Sequence, residues 1–155
     1  MKIANLFIII FFILSCNMDS SKKKIEIPSS ITNWNVNDEP PSIKLCDQIE
    51  SELNRNICFQ DELTKLIYEN IDFSEIVVDK NLNDTSILSI LINQKGKISF
   101  LKSVTPLEIK NQIPLIDSIL TKAIKRLPKI LPATKTNIGV QVSSSFILPL
   151  ILKTK

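Results

Sequence analysis

At 155 residues the chain is long enough for one domain with a real core, plus tails. Its formal net charge of +3 is too slight a surplus to point to nucleic acid. No histidine is present, which excludes a Ser-His-Asp triad, an HExxH zinc site and a histidine general base. The only glycines, Gly96 and Gly139, stand too far apart for a P-loop or a dinucleotide fingerprint, and the cysteines form no CxxC pair. These absences predict a protein that is not an enzyme, with no catalytic residue, metal or cofactor.

Met1 to Cys16 reads as a targeting segment. Lys2 supplies a positive start, and Ile3 to Leu14 is apolar apart from Asn5. Twelve helical residues span about 18 Å, short of a hydrocarbon core about 30 Å thick, but they suit a signal-peptide apolar region. The end of the run, Ile13-Leu14-Ser15-Cys16, resembles the lipobox of bacterial lipoproteins. That resemblance implies removal of residues 1–15, lipid on Cys16 and a periplasmic protein held at a membrane, inner or outer. The alternatives are an ordinary secretory signal and an uncleaved anchor, the latter favoured by Lys22-Lys23-Lys24 just beyond the apolar run.

Residues 16–45 read as the lipidated cysteine and a flexible tether. Ser20-Ser21, the lysine run, Pro28-Ser29-Ser30 and Pro40-Pro41 interrupt any apolar period. Trp34 either sits in the membrane interface or docks on the domain. Export to an oxidising compartment makes Cys46 and Cys58 a disulfide candidate, with two buried thiols as the alternative.

The domain proper opens with a helix over 59–69, where Phe59, Leu63, Leu66 and Ile67 form one stripe and Asn70 gives an end signal. Thr85 to Val104 predicts a hairpin around which the domain is organised. Leu88, Ile90 and Ile92 share one face, Asn93-Gln94-Lys95-Gly96 turns the chain, and Ile98-Ser99-Phe100 resumes the alternation. The adjacent Phe100-Leu101 predicts a bulge. After a break at Thr105-Pro106, a second helix is expected over 114–127, with Ile116, Leu120, Ala123, Ile124 and Leu127 inward. Lys122, Lys125 and Arg126 fall at its C-terminal end, where the helix dipole favours cations without any ligand. A last strand runs from Val140, with Val142, Phe146, Leu148, Leu150 and Leu152 on one face and Ser144 as the exception. Pro149 lacks an N–H, so this strand should be an edge or lack a partner there. The order predicts an α+β domain, two helices on one face of a small three-stranded antiparallel sheet.

Residues 46–155 resemble the TonB C-terminal domain. Cys58-Phe59 opens a helix ending at Asn70-Ile71-Asp72-Phe73, similar to the family's Cys-Phe start. Ile92 to Ile98 resembles its hairpin turn, Ile116-Asp117 to Ala123-Ile124 its "Leu-Asp…Ala" helix, and Leu127 to Ala133 its Pro-x-x-x-Pro-Ala stretch. Gly139-Val140-Gln141-Val142 through Leu148-Pro149-Leu150 resembles the closing strand with its Leu-Pro-Ile end. Phe73-Ser74 departs from the usual Tyr-Pro, no glycine precedes the first strand, and Ile130 stands where tryptophan is frequent. The tether's random-coil span, about 30 Å, is also far shorter than the family's proline-rich arm.

The resemblance implies a protein-binding module whose edge strand accepts an extended peptide from an envelope protein, such as a TonB-dependent outer-membrane receptor. Candidate edge residues are Val140, Gln141, Val142, Ser143, Ser144, Ser145 and Phe146. The alternatives are an assembly subunit of an envelope complex that has lost receptor binding, and a TonB-type transducer with an uncleaved anchor.

Overall fold

The computed structural model describes residues 34–154. In chain order they form α1 (Glu52–Asn70), a short 3-10 turn (Phe73–Glu75), β1 (Asn83–Ile92) and β2 (Ile98–Val104). These are followed by α2 (Leu107–Gln112), α3 (Ile116–Arg126), β3 (Ala133–Lys135), β4 (Val140–Val142) and β5 (Ser144–Lys153). β1 is the centre of an antiparallel sheet ordered β2-β1-β5, and β3 and β4 pair in a smaller sheet. The fold is α+β, as the element order predicts.

Alternation drives the main sheet. Leu88, Ile90 and Ile92 of β1 and Leu148 and Leu150 of β5 turn inward and are fully buried or nearly so. They meet Phe59, Leu63 and Ile67 of α1, Ile109 of α2, and Ile116, Leu120, Ala123 and Ile124 of α3. Each large aliphatic side chain buried in this way contributes about 1.5–3 kcal/mol. Ser86, also inward, is satisfied by a chain of hydroxyls. It bonds Thr105 at 2.6 Å, Thr105 bonds Ser103 at 2.7 Å, and the Ser103 hydroxyl donates to Asp117 in the first turn of α3. A polar residue thus occupies a core position without an orphaned group.

The hairpin has the expected bulge. Ile90 faces Phe100 but Ser89 faces Lys102, leaving Leu101 as the extra residue. In the turn Gly96 takes φ +73°, and the Asn93 side-chain oxygen accepts from the N–H groups of Lys95 and Lys97. The Gly96 carbonyl accepts the Ile130 N–H at 3.0 Å, which ties the turn to the segment after α3.

Four boundaries differ from the sequence reading. α1 begins at Glu52, seven residues before Phe59, with the Ser51 hydroxyl accepting the Asn54 N–H at its start. Its first turns carry the exposed Leu53 and Ile57, so the apolar stripe starts only at Phe59. α2 was not expected, because a six-residue helix with Ile109 as its buried residue leaves no measurable period. α3 starts at Ile116, two residues after Pro114. The closing strand divides between two sheets. β4 pairs with β3, and the chain then crosses over so that β5 pairs with β1.

The C-terminal part of the expected tether belongs to the folded body. Glu39 and Thr134 exchange two backbone hydrogen bonds of 3.0 Å, and Ser42 and Leu131 exchange two more. Pro40-Pro41 lies between these pairs, where missing N–H groups break no ladder bond. Lys135 Nζ reaches Asp38 Oδ2 at 2.7 Å with both side chains nearly buried. Cys46 and Cys58 form a disulfide, Cα atoms 5.7 Å apart, that joins this segment to α1. Trp34 packs on Phe146, ring centroids 6.1 Å apart, so it docks on the domain.

Candidate functional site

β5 is an edge strand, and its register with β1 decides which backbone groups are spent. Residue numbers of partners add to a constant along the whole ladder, from Asn83 opposite Lys153 to Ile92 opposite Ser144. Just past the strand end, the Thr154 N–H bonds the Leu82 carbonyl at 3.0 Å, which makes the even-numbered residues of β5 the ones that bond β1. The odd-numbered residues, Ser145, Ile147, Pro149, Ile151 and Lys153, therefore point their backbone groups away from the sheet. Among the described residues no further strand lies along that side.

Pro149 occupies one of these outward positions, opposite Ile87. Its missing N–H costs the ladder nothing, which explains how a proline sits in mid-strand. The side chains at the same odd positions lie on the sheet face away from the helices, and Ile147 is 71% exposed and Ile151 57% exposed.

The edge is capped at its far end. The Tyr68 hydroxyl of α1 donates to the outward Ile151 carbonyl. Burial pushes the Tyr68 phenol above its usual range, which keeps it in the protonated, donating form. Beside this cap lies a groove of about 890 Å³. Tyr68, Phe73, Ile76, Val78, Ile113 and Ile151 give it an apolar lining, and its charged lining is Lys80 and Lys153 against Asp79. The wall at Phe73 is fixed locally. Asp72 caps the 3-10 turn by accepting from the Ser74 N–H and hydroxyl, which hold its carboxyl below the usual range.

Six of the seven residues expected to form the peptide-binding edge are shared between the two sheets, and Ser143 is the link between them. Val140, Gln141 and Val142 make up β4, opposite Lys135, Thr134 and Ala133, with Val142 buried. Ser144, Ser145 and Phe146 open β5. Ser144 is 3% exposed and pairs with Ile92, and among the described residues its hydroxyl has no hydrogen-bond partner. Ser145 is exposed with outward backbone groups, whereas Phe146 turns inward against Phe59, centroids 5.6 Å apart.

No family model, curated protein or solved structure matches this chain.

The site thus rests on geometry alone. The edge residues expected from the sequence stop at Phe146 and leave out Ile147, Ile151 and Tyr68, although Pro149 marks this end of the strand as an edge. The signal was present in part, since apolar residues at odd positions and a mid-strand proline both mark an exposed edge. Tyr68 gave none, because its partner is a backbone carbonyl 83 positions away. Cys16 and Lys22 to Lys24 lie outside the described residues. Within the described residues, no helix is long and apolar enough to cross a membrane, and no cluster of His, Cys, Asp or Glu could hold a metal ion.

Proposed function

We propose that this chain is a protein-binding module of the bacterial envelope, held at a membrane by lipid on Cys16, whose last strand accepts an extended peptide. The observation that carries this reading is the outer side of β5, where odd-numbered backbone groups have no strand partner among the described residues. A strand added there gains main-chain hydrogen bonds with few side-chain requirements, so it can serve partners that share little sequence. The ordered motifs similar to the TonB C-terminal domain support the same reading and suggest outer-membrane receptors as partners. They support a way of binding more than energy transduction, which needs a span in the inner membrane.

The edge is tested by proline substitution and photocrosslinking. Ile147→Pro removes an outward N–H and should leave the fold intact, as Pro149 does, whereas Leu148→Pro removes a ladder bond and should unfold the sheet. A photocrosslinker at Ser145 should give a discrete envelope adduct that disappears in Ile147→Pro. A folded Ile147→Pro variant that retains the adduct in full would refute edge pairing. The anchor is tested separately by detergent partitioning of Cys16→Ser, which should move to the aqueous phase; unchanged membrane association removes the lipid.

One observation favours the assembly-subunit alternative. Among the described residues, Ile147, Pro149 and Ile151 share the sheet face away from the helices with the exposed Val104, an apolar surface that pairing at the strand edge, through backbone groups, does not itself use. A stable complex lacking outer-membrane receptors, isolated in mild detergent through the same face, would support it.

A further inference from the structure

The pairing edge has a defined length. Along the outward side, Ser145 and Ile147 each offer an N–H and a carbonyl, and Pro149 offers a carbonyl alone. At Ile151 the carbonyl is already taken by the Tyr68 hydroxyl. A strand laid on β5 therefore meets an uninterrupted run of pairing groups only at Ser145 and Ile147, then a missing donor at Pro149 and an occupied carbonyl at Ile151. Beyond that point the surface changes character, because Ile151 is also a wall of the apolar groove.

We infer that the partner is a short extended segment that leaves the edge at Pro149 and places an apolar or aromatic side chain, flanked by a carboxylate, in the groove beside Tyr68 and Phe73. This rests on the edge-pairing reading and adds a specificity pocket to it.

Three features choose this occupant. Ile151 and Lys153 belong both to the outward side of β5 and to the groove lining, so the two surfaces are continuous. A groove of about 890 Å³ holds side chains but not a bilayer surface, and its apolar walls suit a hydrophobic anchor. The charged lining has two lysines and one aspartate, which favours an acidic neighbour over a basic one. Affinity would come from the edge, where any sequence can pair, and selectivity from the groove.

The test uses the full chain purified in mild detergent and a phage-displayed library of random dodecapeptides. Selected peptides should share one apolar or aromatic residue next to Asp or Glu. Binding of a labelled selected peptide is then measured by fluorescence anisotropy. Phe73→Asp changes a groove wall that is 58% exposed, so folding should survive, and Val77→Asp changes a residue 80% exposed that does not line the groove. Ile147→Pro and Phe73→Asp should each weaken binding at least tenfold, and Val77→Asp by less than twofold. Loss in Ile147→Pro with less than twofold change in Phe73→Asp overturns the pocket and leaves the edge reading standing. Loss in Phe73→Asp alone means the groove binds without pairing, which overturns both. Peptides insensitive to either variant, or a library that yields no binder, also overturn both. Should Phe73→Asp instead dissociate a dimer in sedimentation, the occupant is a second copy and the inference falls.

Discussion

Two glycines hold left-handed backbone, Gly96 at φ +73° and Gly139 at φ +64°, but only one of them is crowded. A Cβ built on Gly96 would lie 1.8 Å from the Ile130 carbonyl oxygen, whereas one on Gly139 meets nothing within 4 Å. The two positions therefore separate backbone strain from steric exclusion. Left-handed backbone costs an L-residue about 1–2 kcal/mol, and both alanine variants incur it. Gly96→Ala must also displace the Ile130 backbone, a rigid neighbour, and lose its 3.0 Å hydrogen bond to the Gly96 carbonyl. That bond is worth about 0.5–1.5 kcal/mol, and moving the strap after α3 adds to the loss. Gly96→Ala should thus lose about 2–4 kcal/mol and Gly139→Ala about 1–2 kcal/mol, against a total stability of about 5–15 kcal/mol. Urea unfolding at fixed m-value gives both numbers. Equal losses in the two variants would refute the argument that the hairpin turn is seated against Ile130.

Other expectations follow from the same structure. Reducing Cys46–Cys58 should cost about 3 kcal/mol by freeing the closed loop in the unfolded chain; urea midpoints with and without dithiothreitol measure it, and equal midpoints would mean the bond is absent from the working protein. Asp38 is held below the usual carboxylate range chiefly by its hydrogen bond to Lys135, against desolvation. Its contribution is therefore complete above the ordinary carboxylate pKa, about 3.9, and is lost as pH falls through the lower folded value. Asp38→Asn should be less stable than wild type at pH 7, and the gap should narrow below pH 4; a gap constant with pH would contradict the ion pair. Leu120→Ala, at a fully buried position of α3, should cost about 2–5 kcal/mol in the same assay.

The sheet was legible because its period is two and its core side is uniformly apolar. Leu88, Ile90 and Ile92 mark one face, and the doubled Phe100-Leu101 marks the bulge where the register slips. Local signals placed Gly96 in the turn and Asn70 at the end of α1. What the sequence hid depends on contacts between distant segments. Asp38 and Lys135 are 97 positions apart, and nothing in Asn37-Asp38-Glu39-Pro40 announces a strand partner. The alternation from Val140 to Leu152 stays in phase across the link at Ser143, so periodicity alone cannot reveal that it serves two sheets. The candidate site was half legible for the same reason. Pro149 announced an edge, but the side of β5 that is free follows only from the pairing with β1.

Residue-resolved hydrogen exchange along β5 tests the free edge most directly. Phe146, Leu148 and Leu150 amides, bonded to β1, should exchange slowly, while Ser145 and Ile147 exchange at rates close to an exposed loop. Protection of Ile147 equal to that of Leu148 would mean that another strand already fills the edge, and the account of this surface as a docking site would be wrong.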